Sequence, residues 1–271
     1  MGQLGEYFPR QLVGICAGYK EGTLIAAVAA VTLNQDDGFT LSFPKRNPFS
    51  AGEPVTVHLD DRVGSEVYSV ELRVHRTSFK GIIADSEELT ARVTLVSYEL
   101  FYGGRVLSSH SVPNYVHPFD DRPSRELSTS PLTHAVLPDD NERSNQLGVL
   151  ITRAKLRPHT TVMAFLNSTE DDIFLITQRD SFKFQLLSRD PNCAFAMDHR
   201  ASFSFEHHVD WNYTIYESRA HRIDRSQPLF QRVQDEFIAK NPWEAVFFSS
   251  PTAEMVHLVP KRIIHQDILC Q

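Results

Sequence analysis

Prolines at positions 113, 118, 123, 131 and 138 fall in one stretch from Pro113 to Asn141, interleaved with Asp120, Asp121, Asp139 and Asp140. Each proline removes a backbone N–H donor and biases the preceding residue toward extended backbone, so neither a helix nor an interior strand can run through such a segment. The acidic and hydroxyl residues between them favour solvent. The chain of 271 residues is therefore expected to fold as two bodies, residues 1–112 and 142–271, joined by a proline-rich connector over 113–141. At about 3 Å per residue an extended connector has a long reach, and it can act as a tether or as an arm crossing a neighbouring subunit.

Both bodies read as mainly β. In the first, β-branched content and alternation mark strands at Thr23 to Leu33, Gly38 to Phe43, Pro54 to Asp60, Glu66 to Thr77 and Leu89 to Tyr102, with turn signals between them spaced as in a small barrel. In the second, Leu147 to Arg153, Pro158 to Asn167, Asp172 to Gln178, Asn192 to Asp198 and Val209 to Ile223 are strand-like, and two helices are inserted. Ser181 to Ser188 forms the first helix and stops before Asp190-Pro191. Gln227 to Ala239 forms the second, with Leu229, Phe230, Val233, Phe237 and Ile238 as its apolar stripe, Ser226 as candidate N-cap and Lys240-Asn241-Pro242 as its stop. Two last strands, Glu244 to Ser249 and Glu254 to Val259, would close a second barrel.

Several classes of function drop out. Hydrophobic residues at 41% and charged residues at 23% are ordinary for a globular protein, and 27 Lys plus Arg against 34 Asp plus Glu give a net charge of −7, so no global field attracts nucleic acid or anionic lipid. The apolar run Leu24 to Leu33 is too short for the ~20 residues of a membrane span, and Met1 to Arg10 lacks the pattern of a secretory leader. Cys16, Cys193 and Cys270 have neither C-x-x-C spacing nor an even count, which speaks against a disulfide framework or a cysteine-held zinc and for a reducing cytoplasm. Among twelve histidines, His199, His207, His208 and His221 lie in the second body, but no HxxxH or HExxH pattern occurs, and no metal site is expected. G-x-S-x-G, P-loop and G-x-G-x-x-G patterns are absent as well.

The informative stretch is Asp172 to Asp198. A strand ending Ile176-Thr177-Gln178 turns through Arg179-Asp180 into a helix whose first turn carries Ser181 and Lys183. Free amides at a helix start, a hydroxyl and one or two cations suit a phosphate dianion. Solvated surface charges beside a capping serine are the plainer reading of the same residues.

The order Gly148 to Arg153, Arg157-Pro158-His159 into Thr161 to Asn167, Asp172 to Thr177, Ser181-Phe182-Lys183, Asp190-Pro191 and Ala194 to Asp198 resembles the pyridoxamine 5'-phosphate oxidase-like split barrels that bind flavin mononucleotide (FMN). Lys240-Asn241-Pro242-Trp243 and Val256-His257-Leu258-Val259-Pro260 extend the likeness, which covers about residues 145 to 262. The resemblance implies an FMN-binding split barrel acting as a homodimer. It places Ser181 and Lys183 on the phosphate, and Ile176, Thr177 and Gln178 on the strand facing the cofactor. It sets His159, Thr160, Thr161 and Val162, with Arg157 at their entry, beside the isoalloxazine ring. Trp243 would come from the second subunit of a dimer built on residues 145 to 262 with Trp243, Phe247 and Phe248 exposed. The oxidase's arginine- and tryptophan-rich end is replaced by Met255 to Arg262, which puts that particular activity in doubt.

The expected fold is thus mainly β, two β-barrel domains of which the C-terminal one is an FMN-binding split barrel with a few inserted helices. The implied function is flavin-dependent oxidoreduction with a small-molecule substrate or electron donor, and His159 is the residue to test as proton donor. A non-catalytic flavin-binding or sensory module is the alternative, as is a split barrel using deazaflavin or heme. The two halves also compare faintly. Asp36 to Ser42 parallels Asp171 to Thr177, and His58-Leu59-Asp60-Asp61-Arg62 parallels Ala196-Met197-Asp198-His199-Arg200. A degenerate second split barrel, a small barrel like those preceding PilZ domains, and coincidence all remain open. Pro44 and Pro48 occupy the place of the helix start, so residues 1 to 112 are expected to hold no flavin.

Overall fold

A computed structural model describes residues 3–34, 38–62, 72–198 and 213–266. In the first half, β1 (Gln11–Lys20), β2 (Thr23–Leu33), β3 (Phe39–Ser42), β4 (Pro54–Asp60), β5 (His75–Ser86), β6 (Thr90–Tyr102) and β7 (Arg105–Ser111) form one sheet in the order β3-β2-β1-β4-β5-β6-β7. A further pairing of β3 with β6 closes the first six strands into a barrel, and β7 hangs from its rim. The barrel is filled by alternate residues: Val55, Val57 and Leu59 of β4 point inward with Phe39, Leu41 and Phe79, the rings of Phe39 and Phe79 lying 4.1 Å apart.

Two strands of this barrel depart from the sequence expectation. β1 shows no alternation because both its faces are covered: Leu12 and Cys16 fill the barrel while Val13, Ile15 and Ala17 pack against the second half. Of the strand expected over Glu66 to Thr77, residues 66–71 lie outside the described residues, and the described strand β5 runs from His75 to Ser86, with register shifts at Lys80/Gly81 and Ile83/Asp85 that scramble its period. β7, exposed along most of its length, carries no apolar signal.

The second half contains β8 (Leu147–Thr152), β9 (His159–Ala164), β10 (Leu166–Asn167), β11 (Ile173–Gln178), α1 (Phe182–Arg189), β12 (Asn192–Asp198), β13 (Tyr213–Ile223), α2 (Pro228–Lys240), α3 (Ala245–Phe248) and β14 (Ala253–Gln266). Its sheet runs β10-β11-β14-β13-β12-β8-β9 and curls into a half-barrel in which β9 and β11 approach without pairing. The segment expected as a strand at Glu244 to Ser249 is helical. Pro242 opens a single 3-10 turn that continues into α3, and Phe248 is buried against Phe230 and Phe237 of α2 instead of being exposed. Trp243 and Phe247 are half-buried on the same cluster. The N-cap of α2 is Gln227, with Pro228 in the first turn, because Asp224 accepts from both the N–H and the hydroxyl of Ser226 and holds that residue in the preceding turn.

The halves pack face to face. Val13, Ile15, Ala17 and Val28 meet Val149, Ile151, Ala194, Ala196 and Ile215 in one buried layer, each fully buried valine or isoleucine contributing about 1.5–3 kcal/mol. Polar contacts stitch its margin: Thr56 Oγ1 donates to Pro158 O (2.6 Å), Tyr19 Oη to Ala154 O (2.7 Å), and Arg62 pairs with Asp60 (3.2 Å) and Asp198 (2.8 Å) while donating to Leu147 O. The connector lies along the second half of its own chain. Arg125 N donates to Ser188 O, Ser128 to Ser130 exchange backbone bonds with Arg222, and Leu132 and Val136 cover the α2 cluster.

Candidate functional site

Where the two halves meet, a cleft of about 900 Å3 opens between the end of β11, the start of α1, β9, the turn before α3 and the rim of the first barrel. β11 ends at Gln178, and the chain turns through Arg179 and Asp180 to Ser181, the extended N-cap of α1, whose Oγ lies 2.9 Å from Thr177 Oγ1 and accepts from Phe184 N. Thr177, Ser181 and Lys183 thereby share one wall. Gln178 stands beside them, its amide oxygen accepting from Ser250 Oγ (3.1 Å) and Thr252 Oγ1 (2.6 Å), which orients the amide and leaves its N–H groups to offer.

The opposite wall comes from the first barrel. Leu72, Arg73 and Arg76 precede and begin β5, and Tyr102 to Arg105 form the β6–β7 turn. Gly103 has a φ of 58°, a left-handed conformation that costs glycine little, and its carbonyl accepts from Arg76 Nη2 at 2.7 Å. The Arg76 guanidinium also lies over the Phe101 ring at 5.6 Å. It is thus held rigidly at the cleft margin. Burial, helped by the facing Arg76 cation, lowers the Lys183 pKa from its usual value, and burial lowers that of Arg76 too. Glu244 completes the charged set: burial pushes its carboxyl up to about 7, against a hydrogen bond with Trp243 and the Lys183 charge.

Of the residues expected at a cofactor, Thr161, Val162, Ile176, Thr177, Gln178, Ser181, Lys183 and Trp243 all line this one cleft. Arg157, His159 and Thr160 do not line it. Thr160 Oγ1 donates to Ser78 Oγ (3.0 Å) and Arg157 Nη1 to Gly81 O (3.1 Å), so both bind the first barrel. Arg157 also borders a smaller cavity of about 270 Å3 on the far side of Phe182. His159 packs edge-on against Phe182 and bonds Thr161 Oγ1 (2.9 Å). Burial, with Lys80 and Lys183 nearby, drops its pKa to about 3, so its ring is neutral at physiological pH and holds no spare proton to give. Arg73, Arg76, Arg105, Glu244 and Phe247 were not anticipated, since nothing local in their sequence ties them to Ser181 or Lys183.

His199, His207, His208 and Cys270 lie outside the described residues. Cys16 and Cys193 are free, buried thiols whose pKa values burial raises, that of Cys193 to about 12. His134, Glu170 and Asp172 bring ligand atoms within 4.8 Å of one another, but Asp172 is taken up by His257 at 2.7 Å and the other two are exposed. Among the described residues no helix is long and apolar enough to cross a membrane.

The closed barrel, the curled half-barrel and the cleft between them define a mainly β protein of split-barrel type. No family model and no curated protein matches the chain. Solved structures similar to it include the heme storage protein HutZ from Vibrio cholerae, at 15% identity over 46% of this chain and 89% of that one, with a TM-score of 0.40. A putative pyridoxamine 5'-phosphate oxidase from Listeria innocua is similar at 18% identity over 44% and 87%, with a TM-score of 0.35. A FAD-binding protein from Mesorhizobium loti is similar at 10% identity over 45% and 83%, with a TM-score of 0.37.

Proposed function

We propose that the cleft binds FMN and that the protein is a flavin-dependent oxidoreductase acting on a small molecule. The observation that carries this reading is convergence: residues from β9, β11, α1 and the turn at Trp243, picked out along the sequence for a flavin, face one cleft of suitable size with a cationic end and an apolar body. In this assignment Ser181, Lys183 and the α1 amides hold the phosphate. Thr161 and Val162 of β9 border the ring, Ile176 and Trp243 pack on it, and Thr177 and Gln178 supply hydrogen bonds. Arg157 and Thr160 fix β9 to the first barrel, and His159 packs between that strand and Phe182 of α1. FMN, when bound, supplies two-electron chemistry; the chain's residues orient it, exclude water and offer Glu244 as the group that exchanges a proton near neutral pH.

The test is the visible spectrum of the purified protein, followed by anaerobic addition of nicotinamide nucleotides. A bound flavin that is bleached by such a donor supports the oxidoreductase. A bound flavin that no donor reduces favours the non-catalytic binding module, and a protein that neither carries nor takes up FMN ends the flavin reading.

A further inference from the structure

Number the strands of each half in chain order, leaving aside β7 and the two-residue β10. The first half then reads second-first-fourth-fifth-sixth-third across its sheet, and the second half reads the same. The match extends to side chains. In β4, Val55, Val57 and Leu59 enter the barrel core while Thr56 turns to the other half; in β12, Cys193, Phe195 and Met197 enter their own core while Ala194 and Ala196 turn to the other half. β1 and β8 each carry a glycine at which a Cβ would press on the carbonyl of the neighbouring strand, 3.1 Å from His58 O at Gly14 and 2.9 Å from Ala196 O at Gly148. Past each glycine, Ile15 and Val149 face the other half, and Cys16 and Leu150 face their own core.

The packing between halves is reciprocal. The second strand of the first half, β2, lies over β12 and β13, the fourth and fifth of the other; its counterpart β9 lies over β4 and β5. Such exchange of equivalent contacts is the mark of a two-fold, isologous interface. Arg62 bridges the halves at matching places, joining Asp60 and Asp198, the last residues of the two fourth strands. The halves differ at one place that matters for a ligand. Between third and fourth strands the second half inserts α1 with Ser181 and Lys183, whereas the first half runs through Pro44 and Pro48 without a helix.

We infer that the chain is a dimer folded into itself: the first barrel is a split-barrel unit without its own anion-binding helix, and it serves as the built-in second subunit that closes the other unit's cleft and sets Arg76 opposite Lys183 to grip one phosphate group. The internal pairing stands on the strand order and the reciprocal contacts; the phosphate grip rests on the ligand assignment proposed above. The site is complete in one chain and takes one ligand per chain.

The full-length protein is titrated with FMN, riboflavin and inorganic phosphate, with tryptophan and flavin fluorescence as readouts and light scattering of the same samples. One FMN per chain is expected. Arg76→Gln, confirmed as folded by thermal melting, is expected to weaken FMN about tenfold or more and riboflavin little, while Arg92→Gln on the outer barrel wall changes neither. Mixing Arg76→Gln chains with Lys183→Gln chains is expected to restore nothing, since both cations act within one chain. Two FMN per chain, or recovery of tight sites on mixing, overturns the internal pairing. Unchanged FMN affinity in folded Arg76→Gln overturns the grip. Binding of inorganic phosphate that depends on Arg76, in a protein that ignores FMN, removes the flavin and keeps the grip; wild-type protein that binds neither phosphate nor FMN overturns it.

Discussion

The first barrel and the second half share one strand order and differ in how they close. In the first, β3 pairs with both β2 and β6, and Phe39, Leu41 and Phe79 fill the interior. In the second, β9 and β11 stay apart, and helices take part of the load: α2 and α3 bring Phe230, Phe237 and Phe248 against the sheet. The gap left between β9 and β11 is where Thr161, Val162, Ile176 and Thr177 line the cleft. One architecture thus yields a packed body when its third strand seals the barrel and a body with an open cleft when that seam stays open beside a capped helix.

The comparison is broken most severely at the ion pairs that join the two fourth strands. Arg62→Ala leaves Asp60 and Asp198 buried without their shared cation, and a loss of about 3–5 kcal/mol of unfolding free energy is expected. Chemical denaturation followed by near-UV circular dichroism would show a lowered midpoint for the whole molecule. A variant as stable as the parent would mean that the two halves do not depend on this joint.

The next effect sharpens the difference between halves. Lys183→Ala should cost about 1.5–3 kcal/mol of FMN binding, roughly ten- to a hundredfold, and leave riboflavin affinity nearly unchanged. Ser181→Ala should cost less, with about 1 kcal/mol of stability lost with the cap. Lys45→Ala, in the proline-flanked loop at the matching place of the first barrel, should not alter FMN binding. Equal effects of Lys45 and Lys183 in a fluorescence titration would contradict the asymmetry.

Gly14→Ala and Gly148→Ala test the likeness directly. A methyl group at Gly148 would fall 2.4 Å from the Phe195 ring and one at Gly14 2.7 Å from Val31, so each should destabilise by about 1–3 kcal/mol through overpacking. Urea titration would measure both. A pair in which one substitution is neutral would weaken the equivalence of β1 and β8.

The smallest expected effect concerns Glu244. Its folded pKa of about 7 lies above the ordinary value of 4.5, so the folded state holds an extra proton across that window, and the group's contribution to stability falls as pH rises from 4.5 to about 7 and levels off above it. Ionised Glu244 also opposes a phosphate held by Lys183 and Arg76. FMN affinity is therefore expected to decline modestly from pH 6 to about 8, and Glu244→Gln should flatten that slope. An unchanged slope in the variant would assign the pH dependence elsewhere.

Much of this was legible in the residues alone, wherever a local rule operates. β4 and β12 were readable end to end because their apolar residues recur between turn residues, and α1 because a serine cap precedes it and Asp190-Pro191 stops it. The turn after the third strand was readable for the same reason, with Ser181 as the cap of α1 and Lys183 in its first turn. Local rules failed where burial came from afar. β1 went unread because its second face is covered by the other half, and Val246-Phe247-Phe248 resembled a strand until α2 offered a surface that a single helical turn could cover.

The opposite wall of the cleft is of that second kind. Arg76 lies far from Lys183 along the chain, and no pattern within either segment relates them. They face each other because two sheets of equal strand order bury their Val13, Ile15, Val149 and Ala196 faces against one another, and that packing carries the β5 entry and the β6–β7 turn to the mouth of α1. Periodicity and capping act over a few residues, so the sequence by itself determined strands such as β4 and β12, the start of α1 and its charge. The meeting of two apolar faces depends on the whole surface of each half, so only the tertiary structure decided which cation stands across the cleft.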